Sequence, residues 1–504
     1  MSGRSGVRTV TVMASALAVV LPLVWAGPAH AEPAAALPWG PCDDWVDTAD
    51  VPTAECTTVS VPVDWSDAAN PQAPQANLAV MRIPATGERI GTLISNPGGP
   101  GDSAIDVMTR FAVILGETEI GERFDLVAID PRGIGYSTPA LRCDTDADVD
   151  ARRRDPQVDY SPAGVARIEE LSRQYAQRCL DQMGAPFLAG MSTENTARDM
   201  DAVRAALGEE QINFFGYSYG TRLGTAYADQ FPERVRAMML DGVVEQGESV
   251  IEDTLNDAAA MQQAFEAYAA DCTQALDCPL GTDPALTVTR YRELVDPLVA
   301  APAPTADPRG LSYADALLAT GAAMYSTEEW AALTEGLTAL RDGADADVLL
   351  DMADTYLGRD PEGRYPNVED VISAVHCVDD TYSPDPAVWA DVNRQARELS
   401  PFDSYGQFTG FAPRPDCVFW PVKPASEAKP PVSPGPGKVV VVSTTGDPAT
   451  PYQNGVDVAA QLGAPLITYD GEQHTVAFTG VECIDGPLIA FFVDRVQPPA
   501  DLRC

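Results

Sequence analysis

Predominantly apolar runs recur through the first half of the chain, at residues 90–95, 124–129, 212–215 and 235–240, and they do not alternate regularly with polar positions. A strand buried on both faces has no polar side to show, so such runs suit a mostly parallel sheet covered by helices above and below. Two shorter β-rich stretches, 56–65 and 77–84, flank the turn Pro71-Gln72-Ala73-Pro74-Gln75 and predict an opening hairpin. Helix-like stretches lie between the runs. Residues 161–181 are one; residues 195–208 are another, with Met200, Val203 and Leu207 on one face, Asn195 as cap and Gly208 as stop. The 212–215 strand runs through a short turn into a helical pattern at 221–230. Strand and helix alternate, which is the sequence form of a doubly wound α/β domain.

The texture changes near residue 245. Helical periodicity continues at 258–270, 313–324, 328–340 and 368–378 without core strands, broken by Ala301-Pro302-Ala303-Pro304 and ended by a Pro-rich linker at 421–436. The α/β pattern then resumes: a strand at 439–443, a helix at 453–462, a strand at 466–469 and a last helix at 483–493. The expected organisation is a leader at 1–31, the first part of an α/β core at 32–245, an inserted helical cap at 246–430, and the second part of the core at 431–504.

The leader follows from Arg4 and Arg8, the apolar run 10–25 and the small-x-small site Ala29-His30-Ala31, which read as a secretory signal peptide cut after Ala31. A soluble, extracellular protein is expected. All ten cysteines lie beyond that cut, and an even number in an exported chain favours disulfides over metal ligands. Closing the shortest loops pairs Cys42 with Cys56, Cys143 with Cys179, Cys272 with Cys278, Cys377 with Cys417, and Cys483 with Cys504. Only His376 and His474 remain after cleavage, so no metal and no cofactor is expected. With 74 acidic against 33 basic residues, the formal charge of −41 repels nucleic acid and anionic membranes. A monomer is expected.

The turn after the 212–215 strand is Gly216-Tyr217-Ser218-Tyr219-Gly220. Strand, Gly-x-Ser-x-Gly and helix in that order make a nucleophile elbow, in which a strained Ser218 points its hydroxyl out above the sheet. Such a serine needs a base and an orienting acid, in the chain order Ser, Asp, His. His474 lies just past the 466–469 strand and Asp447 just past the 439–443 strand, where loops bring both over the sheet. His376, beside a cysteine within the insertion, reads as structural. An acyl-transfer oxyanion needs two backbone donors. The residue after the nucleophile, Tyr219, offers one, and Gly99 of Pro97-Gly98-Gly99-Pro100 offers the other, since the prolines have no N–H.

Asn96-Pro97-Gly98-Gly99-Pro100-Gly101, Asp130-Pro131-Arg132-Gly133-Ile134-Gly135-Tyr136-Ser137, Asn195-Thr196-Ala197-Arg198-Asp199-Met200-Asp201, Gly216-Tyr217-Ser218-Tyr219-Gly220-Thr221 and Gly446-Asp447-Pro448-Ala449-Thr450-Pro451 together resemble the secreted tripeptidyl aminopeptidases of actinomycetes. Those are α/β-hydrolase serine exopeptidases related to proline iminopeptidases. The resemblance covers most of the chain outside the insertion, and it implies an α/β-hydrolase fold with Ser218 as nucleophile, Asp447 as orienter and His474 as base. Two positions depart from the family pattern. Asp102 stands where the oxyanion loop often continues with glycine, and Glu472-Gln473-His474-Thr475 lacks the glycine often found before that histidine. The implied activity is release of short peptides, tripeptides above all, from free N-termini through an acyl-enzyme. A secreted carboxylesterase with the same triad is the alternative, and a non-catalytic binding protein on the same scaffold is a third reading. An aminopeptidase must bury the substrate ammonium against carboxylates. Asp379, Glu245 and Glu194 are the candidates for that task.

Overall fold

The computed structural model describes residues 1–3, 37–424 and 429–504. The expected leader and part of the Pro-rich linker fall largely outside the described residues. The chain divides into a unit Met1–Ala35 and a unit Ala36–Cys504; the second carries the fold.

One sheet of nine strands runs through that unit: β1 (Glu55–Pro62), β2 (Gln75–Ile83), β3 (Gly91–Asn96), β4 (Phe124–Ile129), β5 (Ile212–Tyr217), β6 (Val235–Asp241), β7 (Val439–Thr444), β8 (Leu466–Tyr469) and β9 (Leu502–Arg503), in the order β1-β2-β4-β3-β5-β6-β7-β8-β9. β1 pairs with β2, and β2 with β4, antiparallel; the remaining neighbours are parallel. The apolar runs have the expected physical cause. Along β4, Leu126 and Ala128 enter one buried cluster while Val127 and Ile129 enter the cluster on the opposite face. Along β7, Val439 and Val441 alternate with Val440 and Val442 in the same way.

The helix expected over 195–208 starts earlier than the pattern suggests. It spans Thr193–Ala206 and is capped by Ser192, whose hydroxyl accepts the Asn195 N–H at 3.3 Å, so Asn195 sits inside the first turn and not at the cap. Ser192, three residues upstream, supplies the capping oxygen first, and the helix has already begun when it reaches Asn195. Gly208, at φ +77°, stands just past the helix end. The short edge strand β9 has no periodicity to announce it; Cys483–Cys504 holds it beside β8.

Between β6 and β7 the described residues form helices and no named strand, among them Val250–Cys272, Tyr313–Met324, Trp330–Asp342, Asp347–Tyr356 and Val368–Asp379. Most of them share a third apolar cluster around Phe265, Tyr291 and Phe402. The helix Val368–Asp379 is the exception, since Val371, Ala374, Val375 and Val378 pack into the sheet's own cluster. All ten cysteines are paired, in the five pairs that close the shortest loops. No helix among the described residues is long and apolar enough to cross a membrane.

Candidate active site

Ser218 follows β5 directly and has φ +53° and ψ −127°, a conformation costly for a residue with a side chain. The turn around it is tight: a Cβ on Gly216 would lie 2.4 Å from the Gly220 carbonyl oxygen, and one on Gly220 would lie 2.5 Å from that of Asn96. Only glycine fits either place. The Ser218 N–H donates to the Asp241 carbonyl at 3.0 Å, which fixes the turn to the end of β6. The N–H groups of Gly99 and Tyr219 have no protein acceptor among the described residues, whereas that of Gly98 donates to Asn96 Oδ1 at 3.2 Å.

Asp447, on the loop after β7, and His474, on the loop after β8, meet through Nδ1 of the imidazole, 2.9 Å from each carboxylate oxygen. The Asp447 carboxylate also accepts from the backbone of Ala449 at 2.9 Å, from the backbone of Thr450 at 2.8 Å and from the Thr450 hydroxyl at 3.0 Å. These donors fix the orientation of the carboxylate beside the imidazole. Burial pushes the His474 imidazole down and the neighbouring Asp447, with Asp241, pushes it up; the net pKa lies above that of an ordinary histidine.

The His474 loop is itself held from below. Asp241, at the end of β6, is fully buried and accepts the N–H groups of Val476 and Ala477, both at 2.7 Å. Burial pushes its carboxyl up to about 6. The Tyr217 hydroxyl donates to the Ala477 carbonyl at 2.9 Å. Thr475 lies between these anchors and His474 with φ +63°, an outlier for a β-branched residue.

Ser218 and His474 line one cavity of about 660 Å³ together with Gly99 and Asp102 from the β3 loop, and Tyr325, Tyr356 and Glu369 from the segment between β6 and β7. The cavity's acids differ in what they already bind. Asp144 is paired with Arg152 and Arg178, Asp370 accepts from Cys143 and Tyr175, and Asp106 accepts from Tyr136. Asp102 and Glu369 have no hydrogen bond or ion pair among the described residues. Burial pushes both carboxyls up, countered by Arg110 for Asp102 and by Arg152 for Glu369.

The three acids expected to meet a substrate ammonium do not line this cavity. Asp379 accepts the Thr193 N–H at 3.0 Å and stands 3.8 Å from Arg222. Glu245 accepts from Gly247 at 2.6 Å and from Gln461 at 2.9 Å. Glu194 is 3.8 Å from Arg198, and with Asp379 it borders a separate pocket of about 50 Å³ that also contains Arg222 and Lys429. Each carboxylate is taken by partners outside the cavity. His376 contacts Asp380 at 3.1 Å, likewise outside this cavity. The sequence reading overlooked Asp241, Thr450, Tyr325 and Glu369. Asp241 carried a usable signal, as the acid that ends a buried run, and Thr450 sits three residues past Asp447 in a turn; Tyr325 and Glu369 are remote in sequence and carried none.

A family model described as the alpha/beta hydrolase fold matches residues 91–481. Carboxylesterase B of Mycobacterium tuberculosis is 54% identical over 467 residues, covering 92% of this chain and 89% of that protein. The serine protease Hip1 of the same organism is 48% identical over 474 residues, covering 92% and 90%. The tripeptidyl aminopeptidase of Streptomyces lividans is 32% identical over 479 residues, covering 92% and 86%. The chain therefore belongs to the α/β-hydrolase family, in the branch of serine hydrolases that contains these relatives.

Proposed function

We propose that the protein is an exported serine exopeptidase that releases short peptides, tripeptides among them, from free N-termini through an acyl-enzyme. Ser218 Oγ attacks the scissile carbonyl while His474 Nε2 takes its proton and returns it to the leaving amine. Asp447 holds the other ring nitrogen and balances the imidazolium. The Tyr219 and Gly99 N–H groups receive the oxyanion. Water then cleaves the ester, with His474 again as base. Residues 246–430 act as a cap over this site, and residues 1–31 as a leader removed after Ala31; the five disulfides suit an oxidising compartment.

One observation carries the exopeptidase reading: the cavity holding Ser218 and His474 also holds two carboxylates, the half-buried Asp102 and the exposed Glu369, that make no hydrogen bond or ion pair among the described residues, although Arg110, Arg142 and Arg152 also line it. A substrate ammonium supplies the missing partner. Asp102 is the residue that replaces a common glycine, so the departure from the family pattern falls on the substrate side. A free Ala-Ala-Pro chromogenic peptide is expected to be cleaved at least ~10-fold more efficiently than its acetylated form, a difference of about 1.4 kcal/mol. In the double variant Asp102→Asn/Glu369→Gln that preference is expected to shrink. Equal rates on both peptides in the parent enzyme would sink the aminopeptidase reading. Carboxylesterase B among the relatives favours a second reading, an esterase with the same triad; short acyl esters turned over far faster than any free peptide would move it to first place.

A further inference from the structure

The helix Tyr313–Met324 stops at Tyr325, whose N–H bonds to the Ala322 carbonyl at 3.1 Å while its own carbonyl has no helical partner. That carbonyl accepts the backbone N–H of His474 at 2.9 Å. Next to it Ser326 and Gln473 form an isolated antiparallel bridge. The Tyr325 ring stands edge-to-face against the imidazole, with centroids 5.2 Å apart and planes at 81°. On its other side the ring meets Tyr356, with centroids 5.9 Å apart. A residue of the segment between β6 and β7 thus touches both the backbone and the ring of His474. The loop it grips is anchored downstream by Asp241 and contains the strained Thr475. A strained loop keeps its conformation only when its surroundings over-determine it.

We propose that Tyr325 is a positioning residue for His474, so that the inserted segment completes the catalytic base as well as covering the substrate. The backbone bond sets the height of the loop, and the aromatic ring fixes the rotation of the imidazole about its bond to Asp447. The helix adds a smaller effect, because its C-terminal end carries partial negative charge and favours the imidazolium formed when His474 takes the serine proton. The titratable groups around this imidazole are Asp447 and Asp241 from the core, and Tyr325 and Asp257 from the inserted segment.

The inference rests on His474 acting as the base, and the test separates the two. Rates of fluorophosphonate labelling at Ser218, kcat, KM and the pH profile are compared for the parent enzyme, Tyr325→Ala, Tyr325→Phe and His474→Ala. Tyr325→Ala is expected to lower kcat and labelling ~10- to 100-fold with KM within ~2-fold, the scale of a misplaced catalytic group. Its acid limb should move to higher pH, because removing the ring relieves part of the burial that pushes the imidazole down. Tyr325→Phe keeps the ring and should restore both. Parent-like kcat and acid limb in Tyr325→Ala, a change in KM alone, or a Phe variant as impaired as Ala would overturn the proposal. If Tyr325→Ala melts well below the parent, Tyr325→Leu takes its place, keeping apolar volume without the ring, and the same loss is expected. Labelling of His474→Ala at the parent rate would overturn the base assignment itself, whatever the Tyr325 variants do.

Discussion

The sheet and the segment between β6 and β7 reach the same cavity in different ways. The sheet delivers Ser218, Asp447 and His474 on loops that leave β5, β7 and β8, strands fixed side by side by a hydrogen-bonded ladder. The inserted segment has its own apolar cluster and touches the cavity mainly at the ends of helices, through Tyr325, Tyr356 and Glu369. Strand ends hold reacting atoms with little freedom, while helix ends presented by a separately packed layer adjust the walls and the charge. The helix Val368–Asp379 lies between these cases. It packs into the sheet's cluster and is stapled to Cys417 through Cys377, so the backbone that carries Glu369 is anchored to the core.

The comparison breaks most sharply at Ser218. Ser218→Ala is expected to reduce kcat by ~10⁴-fold or more while the protein stays folded, because nucleophile and base act as a unit. Fluorophosphonate labelling should vanish with it. His376→Ala, made in the inserted segment, should change neither; a dead His376→Ala beside an active His474→Ala would move the base out of the core altogether.

A smaller effect separates the two through pH. His474 must be neutral to accept a proton, and its pKa is raised in the folded enzyme, so the protonated, inactive form persists to higher pH than in an ordinary histidine. The acid limb of kcat/KM is therefore expected above ~6.5. Asp447→Asn removes the charge that raises it and should move the limb down, with kcat lowered ~10⁴-fold. A limb that stays in place in that variant would detach Asp447 from the base.

The smallest expected effect concerns stability. Removing Cys143–Cys179, which closes 36 residues, should cost ~4 kcal/mol, against ~2 kcal/mol for Cys272–Cys278, which closes 6 residues within the inserted segment. Denaturant midpoints of the two paired Cys→Ser variants measure this. The Cys272–Cys278 variant is expected to keep full activity, since that staple lies in the third apolar cluster and does not line the cavity. A larger loss from the shorter loop would mean that the inserted segment, and not the sheet, sets the stability of the whole.

The sequence by itself determined most of the sheet and the local pattern of the core half of the candidate site. Runs buried on both faces must be mostly apolar, so β3, β4, β5, β6 and β7 were visible as runs. A serine in a turn that tolerates only glycine on each side leaves a local signature, and the order of Ser218, Asp447 and His474 follows from strand order. Tertiary structure alone decided which acids face the cavity. In a chain with 74 acidic residues, nothing local separates Asp379, whose charge Thr193 and Arg222 already occupy, from Glu369, which makes no hydrogen bond or ion pair among the described residues. It also decided that Tyr325 meets His474, two residues far apart in the chain, because that contact depends on how one packed layer settles on another and not on the periodicity of either.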